Sequence, residues 1–190
     1  IKSISEENNY TKNLIKKNLK VERNKRDKAL ILIGFAGGFR RSELVNIDIE
    51  DVEFVSEGVK ILIKKSKTDQ SGDGFIKAIP YFDNLEFCPV KALKEYIKSK
   101  FTNISNGKIF DISDKSVALI IKKYAEKSGL DSSKYSGHSL RSGFATTAAE
   151  FGAEERNIMA MTGHKSTEMV RRYIKEANLF KNNALNKIKI

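Results

Sequence analysis

Two prolines, two histidines, one cysteine and no tryptophan are all that this chain of 190 residues holds of those four types. A lone Cys88 has no partner for an internal disulfide, and two histidines with one cysteine cannot close a four-ligand zinc site without carboxylates. No apolar run approaches the roughly 20 residues of a membrane helix, and the stretch Ile1 to Tyr10 lacks the apolar centre of a signal peptide. Membrane insertion and secretion are therefore not expected, and a cytoplasmic setting is. Several catalytic signatures are absent too. There is no D-x-D pair, no H-E-x-x-H, no P-loop Gly-Lys-Ser/Thr and no G-x-S-x-G elbow.

What the chain does have is positive charge, with 35 Lys and Arg against 24 Asp and Glu for a formal net charge of +11. The excess is unevenly placed. Residues 1–30 hold nine cations against four anions and residues 171–190 hold six against one, while the long middle section holds twenty against nineteen. Cationic ends on a balanced body point to a polyanionic partner, with nucleic acid first, although solvated lysine-rich ends would look the same by charge alone. A hydrophobic content of 40% suits one globular domain at this length.

Along the chain, Arg26 to Phe35 has the pattern of a helix, and the cluster Gly34, Gly37 and Gly38 bends or ends it before Arg41 to Val45 restarts one. Period-two stretches at Val52–Val55, Val59–Ile63 and Phe75–Ile79 predict a small antiparallel sheet, with turn signals at Glu57-Gly58 and Gly72-Asp73-Gly74. From Pro89 onward the pattern is helical. Val90, Leu93 and Ile97 share a face, and Val117, Ile120, Ile121 and Tyr124 follow helical spacing toward a cap at Gly129. Leu140, Phe144, Ala148 and Phe151 mark a further helix, and a shorter one runs from Ala153 to Met161 before Gly163. The expected class is α+β, mainly α, with one three-stranded antiparallel sheet. Residues 1–25 read as a basic linker or entry segment, 26–177 as the domain proper, and 178–190 as a C-terminal helix with Phe180, Ala184 and Ile188 on one face.

Six polar side chains stand out at helix starts and turns: Arg40, Lys67, His138, Arg141, His164 and Tyr173. Singly, each has an ordinary reading, as a packing arginine, a turn lysine, a cap-region histidine or a half-buried tyrosine. Together, two Arg, one Lys, two His and one Tyr are what phosphodiester chemistry needs when no metal does the work. Guanidinium groups stay cationic and present paired N–H donors that match phosphate oxygens as charge grows there.

These residues also carry a resemblance. Gly38-Phe39-Arg40-Arg41-Ser42-Glu43-Leu44 resembles the first arginine motif of the tyrosine recombinases of the phage-integrase family, with Glu43 as the acidic residue beside Arg40. His138-Ser139-Leu140-Arg141 matches the family's H-x-x-R box, Thr162-Gly163-His164 its Gly-His box, and Tyr173 its nucleophile nine residues on. Phe39 stands where Leu is usual, and Ser136-Gly137 where many members have Thr-Pro. Lys64, Lys65, Lys67 and Lys77 all flank the hairpin, and Lys67 in Ser66-Lys67-Thr68-Asp69 is chosen as the catalytic lysine because the family uses that strand-to-turn position.

The resemblance implies the fold of DNA breaking-rejoining enzymes and a site-specific recombinase acting through a 3′-phosphotyrosyl intermediate, with no ATP, cofactor or metal. In it Arg40 and Arg141 clamp the phosphate assisted by His164, His138 carries the proton of Tyr173, and Lys67 protonates the leaving oxygen. It further implies double-stranded DNA at specific sites as partner, a homo-tetramer on paired sites from free monomers, an N-terminal DNA-gripping domain that this chain lacks, and a C-terminal helix passed between protomers. Alternatives are a type IB topoisomerase-like relaxing enzyme and a DNA-binding module with an inactive site. Should Tyr173 not be the nucleophile, Tyr124 and Tyr135 are next.

Overall fold

The computed structural model of the protein describes residues 25–64, 74–100 and 106–177. The first helix among them, α1 (Lys25–Ala36), is buried on nearly every side: Ala29, Leu30, Ile31, Leu32 and Ile33 are all 3% exposed or less. A helix apolar all round belongs at the centre of a domain, and α1 packs against both α3 (Pro89–Lys100) and α5 (Ser139–Glu150). The one acid in it, Asp27, is buried with Arg26 at 2.8 Å, Lys123 at 3.6 Å and the Tyr124 hydroxyl at 3.3 Å. Tyr124 belongs to α4 (Asp114–Lys127), which also packs on the short α2 (Arg41–Val45).

After α2 and a 3-10 turn at Ile49–Asp51, the strands β1 (Val52–Val55), β2 (Gly58–Ile63) and β3 (Phe75–Pro80) form an antiparallel sheet in chain order. Val52 pairs with Ile61 across the first hairpin, and Ile61 with Lys77 across the second. The pleat turns Val59, Ile61 and Ile63 inward from β2. On β3 the inward positions are Lys77 and Ile79, so the sheet delivers one lysine into the core while Ile76 faces out at 64% exposure. The expected architecture is therefore observed, with boundaries shifted by a residue or two.

The last three helices among the described residues, α5, α6 (Glu155–Thr162) and α7 (Thr167–Ala177), enclose a second, smaller core of Ala145, Ala149, Ile158 and Val170. Tyr173, Ile174 and Ala177 pack against it from α7, at helical spacing from Val170. Phe151, in line with Leu140, Phe144 and Ala148 by sequence, is 82% exposed at the end of α5. The side of α5 that is buried carries small residues, Gly143, Ala145, Thr146 and Ala149, because the neighbouring helices approach closely there. The first-arm residues 1–24, the hairpin residues 65–73 with Lys67, and the C-terminal segment 178–190 lie outside the described residues. Among those described, no helix is long and apolar enough to cross a membrane.

Gly58 starts β2 where a Cβ would sit 2.1 Å from the Ile79 carbonyl oxygen and 2.8 Å from Pro80 Cα. Backbone cannot yield as a side chain does, so Gly58→Ala is expected to cost about 1–3 kcal/mol by overpacking. Urea unfolding measures it, and an unchanged midpoint would mean that the hairpin opens freely at this position.

Candidate active site

The junction between α1 and α2 sets the first part of the site. Arg40 precedes α2 in extended conformation, and its N–H donates to Glu43 Oε2 at 3.0 Å, so a carboxylate closes the exposed start of the helix. The Arg40 side chain returns to the same carboxylate, with Nη1 2.6 Å from Oε1. Glu43 is itself buried, with Lys77 Nζ 3.8 Å from its other oxygen. Burial works to raise the Glu43 carboxyl, but Lys77 and the hydrogen bonds from Arg40 outweigh it, and the group is held below the ordinary glutamate value as a carboxylate.

The second part is the C-terminal end of α6, where helix carbonyls lack partners within the helix. Lys77 Nζ donates to Met161 O at 2.5 Å and to Gly37 O at 2.6 Å. Arg141 Nη1 donates to Thr162 O and, at 3.0 Å, to Gly38 O. Arg40 Nη2 reaches Gly163 O at 3.4 Å. Three consecutive carbonyls of one helix end thus receive three cations from three other elements, and the partial negative charge there favours them. Gly163 ends α6 in the left-handed region at φ 64°, which turns the chain sharply toward His164.

Arg40, His138, Arg141, His164 and Tyr173 then line one cleft of about 370 Å³, with Ser142 and Met169 beside them. The buried Nη2 of Arg141 has no hydrogen-bond partner among the described residues. The guanidinium is thus anchored to backbone through one nitrogen, at the wall of the cleft. Burial, then Arg40, lowers Arg141 to about 10, so it remains cationic at neutral pH. His138 sits at the start of α5, and burial with Arg41, Arg141 and Arg40 nearby pushes its imidazole below the usual value. His164 is pushed further, to about 4, by burial and then by Arg141, Arg40 and Lys77. Both rings are neutral at pH 7. The His164 and Tyr173 rings are 6.3 Å apart between centroids, tilted by 30°.

Five of the six expected catalytic residues therefore meet in one place, joined by Glu43, and the sixth, Lys67, lies outside the described residues. The reserve nucleophiles are set aside by burial, since Tyr124 is 0% and Tyr135 1% exposed, and neither lines the cleft. Two contributors went unassigned in the sequence. Lys77 was one lysine among four near the hairpin, yet it shares the phase of Phe75 and Ile79, which marks it as inward-facing. Thr162 stood only as the residue before Gly163-His164; its hydroxyl contacts the His164 ring at 2.8 Å.

The sequence profile of the phage integrase family matches residues 7–179. The chain is 50% identical over 175 residues to an integrase/recombinase xerD homolog from Selenomonas ruminantium, covering 86% of this chain and 51% of that protein. It is 30% identical over 187 residues to tyrosine recombinase XerA of Pyrococcus horikoshii, covering 95% and 61%. The chain thus spans roughly half to three-fifths of the length of these relatives. Among solved structures, a XerA recombinase superposes with a TM-score of 0.73 at 22% identity, over 96% of this chain and 63% of that one. A XerH recombinase bound to its difH substrate before cleavage gives 0.67 at 21% identity, over 87% and 49%. These likenesses establish the fold.

Burial, together with Arg141 and Arg40 and against the pull of Glu43, lowers Lys77 from 10.5 to about 7. Between those values the unfolded chain holds a proton that the folded chain has lost, so stability rises with pH across the interval and falls away as pH drops through the folded value. The unfolding free energy of the wild type is expected to climb from about pH 7 to about pH 9 with a slope of up to about 1.4 kcal/mol per unit beyond that of Lys77→Met. Parallel curves from urea titrations of the two proteins would show that Lys77 stays charged throughout.

Proposed function

This chain belongs to the phage integrase family, and on that premise we propose that it is the DNA-breaking and rejoining part of a site-specific recombinase working through a 3′-phosphotyrosyl intermediate. The observation that carries the reading is the single cleft in which Arg40, His138, Arg141, His164 and Tyr173 converge from four separate elements. In it, the Tyr173 oxygen attacks a backbone phosphorus, a P–O bond to tyrosine forms, and the bond to the 5′ oxygen breaks. Free tyrosine titrates near 10, so its proton needs an acceptor; neutral His138 is assigned that role. Lys67 supplies a proton to the departing 5′ oxygen. Arg40 and Arg141 hold the non-bridging oxygens as negative charge builds on them, and the place of both residues on the cleft wall supports that assignment. Attack by the 5′-hydroxyl of a second strand reverses each transfer. The phosphotyrosyl bond keeps the energy of the cleaved one, so neither ATP nor a cofactor is required.

The substrate is double-stranded DNA in the cytoplasm, and the basic ends supply sequence-independent phosphate contacts. The relatives' greater length supports a further, N-terminal DNA-gripping portion in the whole protein. Assembly as a tetramer on paired sites, with residues 178–190 passed between protomers, completes the reading and rests on the family alone.

A nicked duplex carrying the recombination site of the element that encodes the chain traps the covalent species, because the cut strand diffuses away. Wild-type protein is expected to give a denaturation-resistant adduct, Tyr173→Phe none, with DNA affinity nearly unchanged in the variant. Arg141→Ala is expected to slow adduct formation by about 100-fold or more at saturating protein. An adduct formed by Tyr173→Phe, or an Arg141→Ala protein impaired in affinity alone, would contradict the assigned roles.

A further inference from the structure

Arg40 and Arg41 are neighbours in the chain whose side chains part. Arg40 turns back to Glu43 and to the Gly163 carbonyl. Arg41, half-buried, runs instead to the start of α5 and lays its stem on the backbone of the buried Gly137. A Cβ at Gly137 would overlap Arg41 Cδ, Cγ and Nε together. The backbone makes no such demand, because Gly137 is not among the glycines with positive φ. The absence of a side chain at 137 therefore serves the arginine that crosses it and not the turn. Beyond this contact the guanidinium has no hydrogen bond or ion pair among the described residues. An arginine that packs its stem on protein keeps five N–H donors for a ligand or for water, and the surroundings decide between them. Arg41 stands beside His138, on whose imidazole it weighs more than Arg141 or Arg40. The buried carboxylate nearby, Glu43, is already engaged by Arg40 and Lys77.

We propose that Arg41 is a further phosphate-binding residue, seated by Gly137, which holds the DNA backbone phosphate next to the one that is cut, on the His138 side of the cleft. The cleft walls include His138, Arg40 and Arg141 but not Arg41, so its guanidinium stands just outside the place where the reacting phosphate goes. A strand that lays one phosphate in the cleft carries the next one past its rim, and each bears a full negative charge. A permanently cationic planar fork matches such a group, and a cation set among other cations gains most from an anion. Because the contact is to a phosphate that does not react, it is made equally before and during the chemical step. Its work is affinity and register, whereas Arg40 and Arg141 act on the rate. DNA as the source of the phosphate rests on the recombinase reading; the seat of Arg41 on Gly137 does not.

The test measures the affinity of the whole chain for an intact duplex carrying the recombination site over a series of salt concentrations, and adduct formation on the nicked duplex at saturating protein. Arg41→Ala is expected to weaken binding about 10-fold and to flatten the slope of log affinity against log salt by about 0.9, the share of one phosphate. Its adduct rate at saturation is expected to stay close to that of the wild type, the mark of a contact made in ground and transition state alike. Arg41→Lys keeps the charge and most of the slope. Gly137→Ala displaces Arg41 and is expected to lose as much affinity as Arg41→Ala, with no further loss when the two are combined. Urea unfolding of each variant accompanies these values, and Arg41→Ala decides the phosphate contact by itself. An unaltered affinity and salt slope in Arg41→Ala would overturn the contact, while the wild-type adduct would still uphold the recombinase reading. A slower adduct at saturation with unaltered affinity would overturn it in favour of action through His138. Further loss from Gly137→Ala in the Arg41→Ala background would overturn the seat. A wild type that binds the duplex without forming adduct would reject the recombinase reading, and a flattened slope in Arg41→Ala would then uphold the contact alone. A wild type that does not bind the duplex would reject both.

Discussion

The end of α6 is where the rest of the molecule is tied together. Met161, Thr162 and Gly163 offer three successive carbonyls, and Lys77, Arg141 and Arg40 donate to them from β3, from α5 and from the turn before α2. Two of these cations also hold the glycine turn after α1, Lys77 at Gly37 and Arg141 at Gly38. Bringing three cations so close would be strongly unfavourable without compensation. The buried Glu43 carboxylate supplies part of it, at 2.6 Å from Arg40 and 3.8 Å from Lys77, and the helix end supplies the rest. The neutralisation is incomplete: positive potential is left over at the cleft, and together with burial it holds both imidazoles below their usual value.

Much of this was legible in the residues. Arg40, His138, Arg141, His164 and Tyr173 stand in motifs whose order and spacing survive in one chain, and period-two and helical patterns located the sheet and helices. What could not be read were the acceptors. Backbone carbonyls carry no sequence signature, and the links from Arg40 to Gly163 and from Lys77 to Met161 join residues 123 and 84 positions apart. Lys77 was visible in principle, since its phase on β3 turns it inward with Ile79, but a lysine in an apolar phase reads as a surface residue until its partners are known. The exposure of Phe151 was not legible either: beyond Leu140 and Arg141 the buried side of α5 is made of glycine, alanine and threonine, whose value is closeness of approach rather than hydrophobicity.

The two cores divide the labour of the site. Arg40 and Lys77 are fixed on the large core built around α1, whereas Tyr173 packs on the small core between α5, α6 and α7. Arg141 lies on the helix common to both, and α6 bears on its last turn the carbonyls that the cations grip. In the proposed reaction, holding the phosphate and delivering the nucleophile would thus fall to different packing units, coupled through one helix end.

The central claim is that the clamp is rigid before DNA arrives, since its anchors are protein backbone and one carboxylate. Relaxation of the arginine side-chain Nε–H groups in the free chain tests this most directly. Arg40 and Arg141 are predicted to show order parameters near those of rigid backbone, about 0.85, while the largely exposed Arg156 falls below about 0.6. Arg40 and Arg141 as mobile as Arg156 would contradict the account, because the clamp would then be assembled by the DNA and not by the fold.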